Sequence, residues 1–237
     1  MVLEHYRIPT APFTTIPPRN SWPKSGFDPM TYIDSSAYCN ELQTYPLFVK
    51  PASVSTGIGI GKNNKARNRD ELIQVIEEIS QQHPTTSLLV EQFLSGREFT
   101  VGLIGTGADA QVIGVREFVF LKNNPKFQVD PTVPYTNMDP SLLEIDVYCH
   151  ALKKSWSPNP QQLNLDMSDP VAQSVADVAL KAWRVLGCRD GGRIDIRHDS
   201  LGVPNFMEVC RTISSPHLDN NEFHLGEPHC WAHSELV

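Results

Sequence analysis

Two stretches of the chain place apolar residues at helical spacing. After Asn68, the residues Leu72, Ile73, Val75, Ile76 and Ile79 recur three and four positions apart, which predicts a helix with one buried face. Asn68 stands at the N-cap position with Glu71 three residues on, a capping box, and His83 before Pro84 closes the run. A second helix starts at Asp169 as N-cap with Pro170 in its first turn. It continues through Val175, Val178, Ala179, Ala182, Val185 and Leu186, and Gly187 stops it.

Elsewhere the pattern is that of strands. Residues 45–50 form a short apolar run, 52–57 read as a loop, and 58–60 are expected to resume a strand antiparallel to the first. Residues 87–90 are apolar, 98–104 and 111–120 flank "TGADA" as a hairpin, and "GGRIDIRHDSLGVPNFMEVC" reads as another. Pro9, Pro12, Pro17, Pro18, Pro23 and Pro29 confine the first 45 residues to extended segments and turns, with one short strand expected at 11–16. Between 122 and 167 no periodicity emerges, and stretches of this length are usually lids or insertions. The order β-loop-β-α-β-β-β, then α-β-β, predicts an α+β fold and lacks the alternation of a Rossmann sheet.

Composition narrows the function classes. At 237 residues the chain has room for one large domain or two small ones. A net charge of −7 leaves no electrostatic footprint for nucleic acid or an anionic membrane. No apolar run is long enough to span a bilayer, and "MVLEHYRIPTAPF" lacks the layout of a signal peptide. The five cysteines (39, 149, 188, 210 and 230) are scattered without a CxxC pair, which argues against a disulfide framework and suits a reducing compartment. A soluble, cytoplasmic chain is expected.

Three segments could carry chemistry. In the last hairpin, strand alternation sets Arg193, Asp195 and Arg197 on one face against Ile194 and Ile196 on the other. On the returning strand Phe206, Glu208 and Cys210 share a face opposite Met207 and Val209. If Asp195 lies opposite Glu208, the two carboxylates repel unless a cation such as Mg²⁺ sits between them. The plainer reading is a solvated hairpin face. In "YPLFVKPASVSTGIGIGK", Lys50 precedes a loop of small residues whose backbone N–H groups can approach phosphates, or it is a lysine at an ordinary turn. The P-loop pattern fails because Asn63 follows Lys62, and the kinase and Rossmann glycine patterns fail too. In "SLLVEQFLSGREFTV", Glu91 and Glu98 bracket a connector, either to hold a nucleoside or as two surface glutamates.

In this order the three segments resemble the ATP-grasp superfamily, and within it the D-alanine–D-alanine ligases. "FVKPASVSTGIGIGK" looks like that family's lysine strand and phosphate-covering loop, "VEQFLSGREFTVGLIG" like its adenine-ribose segment, and "GGRIDI…FMEVC" like its catalytic hairpin. The resemblance covers about residues 7–212. It implies two α+β subdomains clamping a nucleotide between antiparallel sheets: 1–106 with the Pro-rich opening segment, 107–213 with the hairpin, and a divergent tail at 214–237. It also implies ATP and Mg²⁺ as cofactors, amino-acid or dipeptide-type substrates, and a homodimer. Lys50 would contact the α- and β-phosphates, with Thr56 and Gly57 in the loop closing over the β/γ end. Glu91, Gln92, Phe93 and Leu94 would hold adenine, Glu98 the ribose, and Asp195 and Glu208 the Mg²⁺. Arg193 would stabilise the acyl phosphate formed when ATP phosphorylates a D-amino-acid carboxylate, before a second amine displaces phosphate. The alternative is a non-catalytic ATP-binding or regulatory module.

The sequence also departs from that family. The chain begins almost at "YRIPTAPF", where the family has an N-terminal domain and a further phosphate lysine upstream, and both ends are expected to have been altered relative to it. Where the family's hairpin supplies an asparagine metal ligand stands Cys210, a poor partner for a hard cation. The glycine of its oxyanion site has no counterpart. The stretch 122–167 does not match the lid, and Lys122 or Lys126 would be the residue to stand in for a lid lysine. The tail's His217, His224, His229, Cys230 and His233 fit no zinc spacing, and an irregular terminus is expected.

Overall fold

The computed structural model describes residues 2–53, 62–119, 161–211, 217–219, 222–224 and 229–232. The single turn α1 (Val2–His5) precedes β1 (Phe13–Ile16), and α2 (Met30–Asp34) precedes β2 (Leu47–Pro51) and the short β3 (Lys65–Ala66). Helix α3 (Arg69–Gln82) leads into β4 (Leu88–Gln92). These strands form an antiparallel sheet in the order β1-β4-β2-β3. The apolar stripe of α3, at Leu72, Val75, Ile76 and Ile79, buries against the sheet residues Leu47, Val49, Leu88 and Val90. Asn68 caps α3 by accepting from the Glu71 N–H at 2.9 Å. The Glu71 carboxylate reaches back to the N–H of Arg67 at 2.8 Å, one residue before the cap.

The second sheet takes β5 (Glu98–Ile104), β6 (Gln111–Val119), β7 (Gln161–Leu165), β8 (Gly191–His198) and β9 (Pro204–Arg211). Helix α4 (Pro170–Val185) lies between β7 and β8 in sequence, and its cap is Asp169, which accepts from the Val171 N–H at 2.8 Å. Beyond β9 come β10 (His217–Asp219), β11 (Glu222–His224) and β12 (His229–Ala232). The order β12-β9-β8-β5-β6-β7 makes six antiparallel strands. Alanines 172, 179 and 182 let α4 sit close on this sheet, so that Val175 and Trp183 reach the core formed by Phe99, Val101, Ile194, Ile196 and Val209.

Several expectations shift. The strand anticipated at 58–60 lies outside the described residues, and β3 pairs with β2 in its stead. From the stretch taken as irregular, β7 emerges as an edge strand of the large sheet; 120–160 lie outside the described residues. The tail is not wholly irregular, because β12 pairs with β9 and β10 with β11. Sheet membership changes between Gln92 and Glu98, whereas the expected division at 106 falls inside the β5–β6 connection.

Two crossings tie the sheets together among the described residues. At 9–12, the Pro9 carbonyl accepts from Phe206 of β9 at 2.8 Å, and the Pro12 carbonyl accepts from Gln92 of β4 at 2.9 Å. At 93–97, Phe93 donates its N–H to Pro46 at 3.1 Å, and Gly96 donates to His198 of β8 at 2.9 Å. Gly96 must be glycine, because a Cβ there would lie 2.6 Å from the His198 Cβ and 2.7 Å from the Asp199 carbonyl.

Candidate functional site

The β8–β9 hairpin sets Asp195 directly opposite Glu208 and Arg193 opposite Cys210. Side chains at alternate positions of β8 share a face, so Arg193 and Asp195 project together, with Arg193 Nε 3.4 Å from Asp195 Oδ1. On the other flank β5 brings Thr100 opposite Asp195, and its hydroxyl donates to Asp195 Oδ1 at 2.7 Å. One donor atom from each of Asp195, Glu208 and Cys210 lies within 4.8 Å of the others. Two facing carboxylates repel, and Arg193 offsets only part of that charge.

The faces are not those of simple alternation. Ile196 pairs with Phe206 and Asp195 with Glu208, so Met207 is an extra residue in β9, a β-bulge. Phe206 was expected beside Glu208 and Cys210; the bulge turns it into the core instead, 2% exposed among Ile194, Ile196 and Val209. Met207, expected in the core, is half-buried. The bulge thus keeps Glu208 in line with Asp195 while the start of β9 stays apolar.

Cys210 is buried, and its Sγ lies 3.8 Å from Glu208 Oε1. It is disulfide-bonded, and the strand register sets Cys230 of β12 opposite it. The scattered cysteines argue against a disulfide framework, and the structure runs against that expectation at the candidate site, where Cys210 is bonded; among the described residues Cys39 and Cys188 are free. Two carboxylates fit a divalent cation that completes its shell with phosphate oxygens and water, whereas sulfur adds nothing to the binding of Mg²⁺.

The first sheet brings together Lys50 and Glu91. Phe48 lies opposite Glu91 and Lys50 opposite Leu89, which makes Lys50 and Glu91 diagonal neighbours on one face. Lys50 Nζ meets Glu91 Oε1 at 2.7 Å, the two side chains being 9% and 15% exposed. Downstream, Gln92, Phe93 and Leu94 are half-buried, and the Phe93 ring gathers cations: Lys65 Nζ stands 3.9 Å from its centroid and Arg197 Cζ 5.0 Å. Glu98, buried, is paired across β5 and β8 with Arg197, its Oε2 accepting at 2.9 Å. Thr56, Gly57, Lys122 and Lys126 lie outside the described residues.

The structure adds residues to which sequence reasoning gave no role. Arg197 was placed on the face of Arg193 and Asp195, but nothing local announced its pairing with Glu98, ninety-nine positions away. Arg97 forms a bidentate pair with Glu117, both bonds 2.7 Å long, which fixes the connector to β6 beside Glu98. Buried His198 lies tilted against Phe99, 4.8 Å between ring centroids. Burial pushes the His198 imidazole pKa below its ordinary value, and the Arg97 charge pushes the same way against a smaller opposing pull from Asp199.

Comparison with known proteins places this arrangement. The family model described as the D-ala D-ala ligase C-terminus matches residues 2–213. A D-alanine–D-alanine ligase of Bordetella petrii is 32% identical over 165 residues, 69% of this chain and 42% of that protein. One from Alcanivorax borkumensis is 28% identical over 70% of this chain and 43% of its own length. The chain therefore spans about two fifths of the length of these curated relatives. Among solved structures, a D-alanine–D-alanine ligase from Bacillus anthracis superposes with a TM-score of 0.55 at 17% identity, covering 92% of this chain and 55% of that one. The VanG D-Ala:D-Ser ligase of Enterococcus faecalis gives 0.54 at 19% identity, covering 88% and 49%. The chain belongs to the D-alanine–D-alanine ligase C-terminal family, and its paired antiparallel sheets are an α+β ATP-grasp fold.

Proposed function

We propose that this chain is the nucleotide-binding and catalytic part of an ATP- and Mg²⁺-dependent carboxylate–amine ligase of the D-alanine–D-alanine ligase type. The observation that carries this reading is the Asp195–Glu208 pair, held opposite one another with Arg193 alongside. Two carboxylates directly opposite one another weaken a sheet, and a cation between them resolves the repulsion that Arg193 offsets only in part. Mg²⁺ held by Asp195 and Glu208 would neutralise charge on the phosphoryl oxygens.

The chain's own groups supply the rest. Lys50 binds the α- and β-phosphates, and its contact with Glu91 keeps the ammonium on the side of β2 that faces the nucleotide. Glu91 and the Gln92, Phe93 and Leu94 connector hold adenine, while Arg197 keeps the Glu98 carboxylate oriented toward the ribose hydroxyls. Thr56 and Gly57 close over the phosphates. Arg193 stabilises the negative charge that develops first as a substrate carboxylate takes the γ-phosphoryl group, then as an amine attacks the acyl phosphate. The substrates are D-amino acids or small peptides of that type, the assembly is a homodimer, and the compartment is the cytoplasm. Within the described residues no helix is long and apolar enough to cross a membrane.

ATP titration by calorimetry, with and without Mg²⁺, tests the reading. Metal-dependent binding, weakened in both Lys50→Ala and Asp195→Asn, is expected; binding that neither variant alters would overturn it. A second reading, a non-catalytic ATP-binding module, is favoured by the disulfide at Cys210, which stands beside the proposed cation ligands. It predicts the same binding without phosphate release stimulated by amino acids.

A further inference from the structure

We infer that Lys65 is a second phosphate-binding lysine of the nucleotide site, held ready on the ring of Phe93 and drawn off it by the α-phosphate. The inference rests on the reading of this face of the small sheet as the nucleotide site, and adds a cation that the residues assigned above do not include. Lys65 lies directly opposite Phe48 across β2 and β3, so the two side chains share a face. Lys50 follows Phe48 by two residues and projects from that face as well, while Leu47, Val49 and Ala66 turn to the core beneath α3. Buried Asn64 donates its side-chain amide to the Val49 carbonyl at 2.7 Å, which ties the chain entering β3 to β2 beside Lys50. The root of Lys65 is therefore fixed at the edge of the sheet, although β3 is short.

Charge explains the need for it. Lys50 Nζ meets Glu91 at 2.7 Å, so much of its field is cancelled before a polyphosphate arrives. A triphosphate is held more firmly where a further cation faces it. Lys65 Nζ stands 3.9 Å from the centroid of Phe93, a ring of the connector assigned to adenine. The ring attracts an ammonium through its quadrupole, but a phosphate oxygen offers a full charge and a charge-assisted hydrogen bond, which is the stronger partner. Lysine carries its three donors on a flexible four-carbon stem, so the ammonium changes partner without movement of the backbone. Because Phe93 belongs to the nucleoside end of the site, the phosphate within reach is the one next to the ribose. Lys65 and Lys50 thus grip the nucleotide from adjacent strands, and Lys65 takes up its grip only when phosphate is present.

Calorimetric titration of the full chain with ATP and Mg²⁺, and separately with adenosine, tests this. Lys65→Met keeps an apolar stem against Phe93 and drops the charge. It should weaken ATP binding at least about tenfold and leave adenosine binding within about threefold of the parent. Lys65→Arg, which keeps the charge, should bring ATP binding back to within about threefold of the parent. A second readout needs no loss of affinity. In the parent with isotope-labelled lysine, the Lys65 ε-methylene resonance, assigned by its absence in Lys65→Arg, should lie upfield in the ring current of Phe93 and move downfield when ATP is added. Lys65→Met that binds ATP as the parent does, or that loses ATP and adenosine alike, overturns the inference, and so does a Lys65 resonance that ATP leaves in place. In those cases ATP binding that still needs Lys50 and Asp195 leaves the proposed function standing. A parent chain that binds no ATP overturns both.

Discussion

Replacing Arg97 by methionine should cost the fold about 3 kcal/mol, and the penalty falls on Glu117 rather than on the arginine. The Glu117 side chain is 1% exposed, while Arg97 is 25% exposed. Both Glu117 oxygens accept from Arg97, at 2.7 Å each. Methionine fills much of the arginine's path but donates nothing, so a carboxylate is left buried without its two charge-assisted bonds. Breaking a buried pair from one side typically costs about 3–5 kcal/mol, and the partial exposure of Arg97 places this case at the lower end. With a urea dependence of about 2 kcal/mol per molar, the unfolding midpoint should drop by roughly 1.5 M. Pairing Arg97→Met with Glu117→Leu removes the stranded charge and should recover most of the loss, since apolar replacements of buried pairs are close to neutral. A single-variant drop below about 0.5 M, or a double variant less stable than either single one, refutes the argument.

Gly192→Ala should destabilise by about 1–3 kcal/mol. The added Cβ would press into the Cys210 carbonyl and stand 3.0 Å from the Trp183 ring, which is buried and held by its Nε1–H to Gly105 at 3.0 Å. A lower melting temperature checks this, with Gly114→Ala, whose Cβ would meet nothing within 4 Å, as the control expected to stay within about 0.5 kcal/mol of the parent. His198 gives the fold a pH dependence of definite sign. Its folded pKa lies below the unfolded value of about 6.5, so in the window between them the unfolded chain takes up a proton that the folded chain refuses. This contribution to stability is full above the window and shrinks as pH falls through it, and His198→Phe should remove that slope from urea unfolding series across pH 5–8. An unchanged slope in the variant counts against the assignment.

Much of the fold was legible because local chemistry determined it. Asn68 and Asp169 mark helix starts by hydrogen bonds made within three residues, and both caps form as the residue types require. The opposition of Asp195 and Glu208 was also within reach, because a hairpin's register follows from its two apolar faces. The phase of Phe206 was not, since a bulge inserts one residue whose effect on alternation no two-residue period reveals. Long-range pairs stayed hidden for a different reason. Arg197 meets Glu98, and Arg97 meets Glu117, only because β5 lies between β6 and β8, an order that the separate strand patterns do not state. Lys50 and Glu91 were assigned to neighbouring parts of one nucleotide, but their direct contact depends on the diagonal offset between β2 and β4.

The two crossings between the sheets have a mechanical consequence. At the first, Pro9 is bonded to the large sheet and Pro12 to the small one, which leaves Thr10 and Ala11 between the anchors, and Thr10 itself bridges to Phe206. At the second, Phe93 is bonded to the small-sheet side and Gly96 to the large sheet, which leaves Leu94 and Ser95. Two short tethers anchored on both sides resist sliding and separation, because either would stretch hydrogen bonds at four points. Turning about the line that joins them requires only changes in the backbone torsions of the few residues in between. The sheets are thus coupled like the covers of a book bound at two stitches, with one inexpensive rotation that alters the separation of Lys50 from Asp195 and Glu208 while leaving each group fixed within its own sheet.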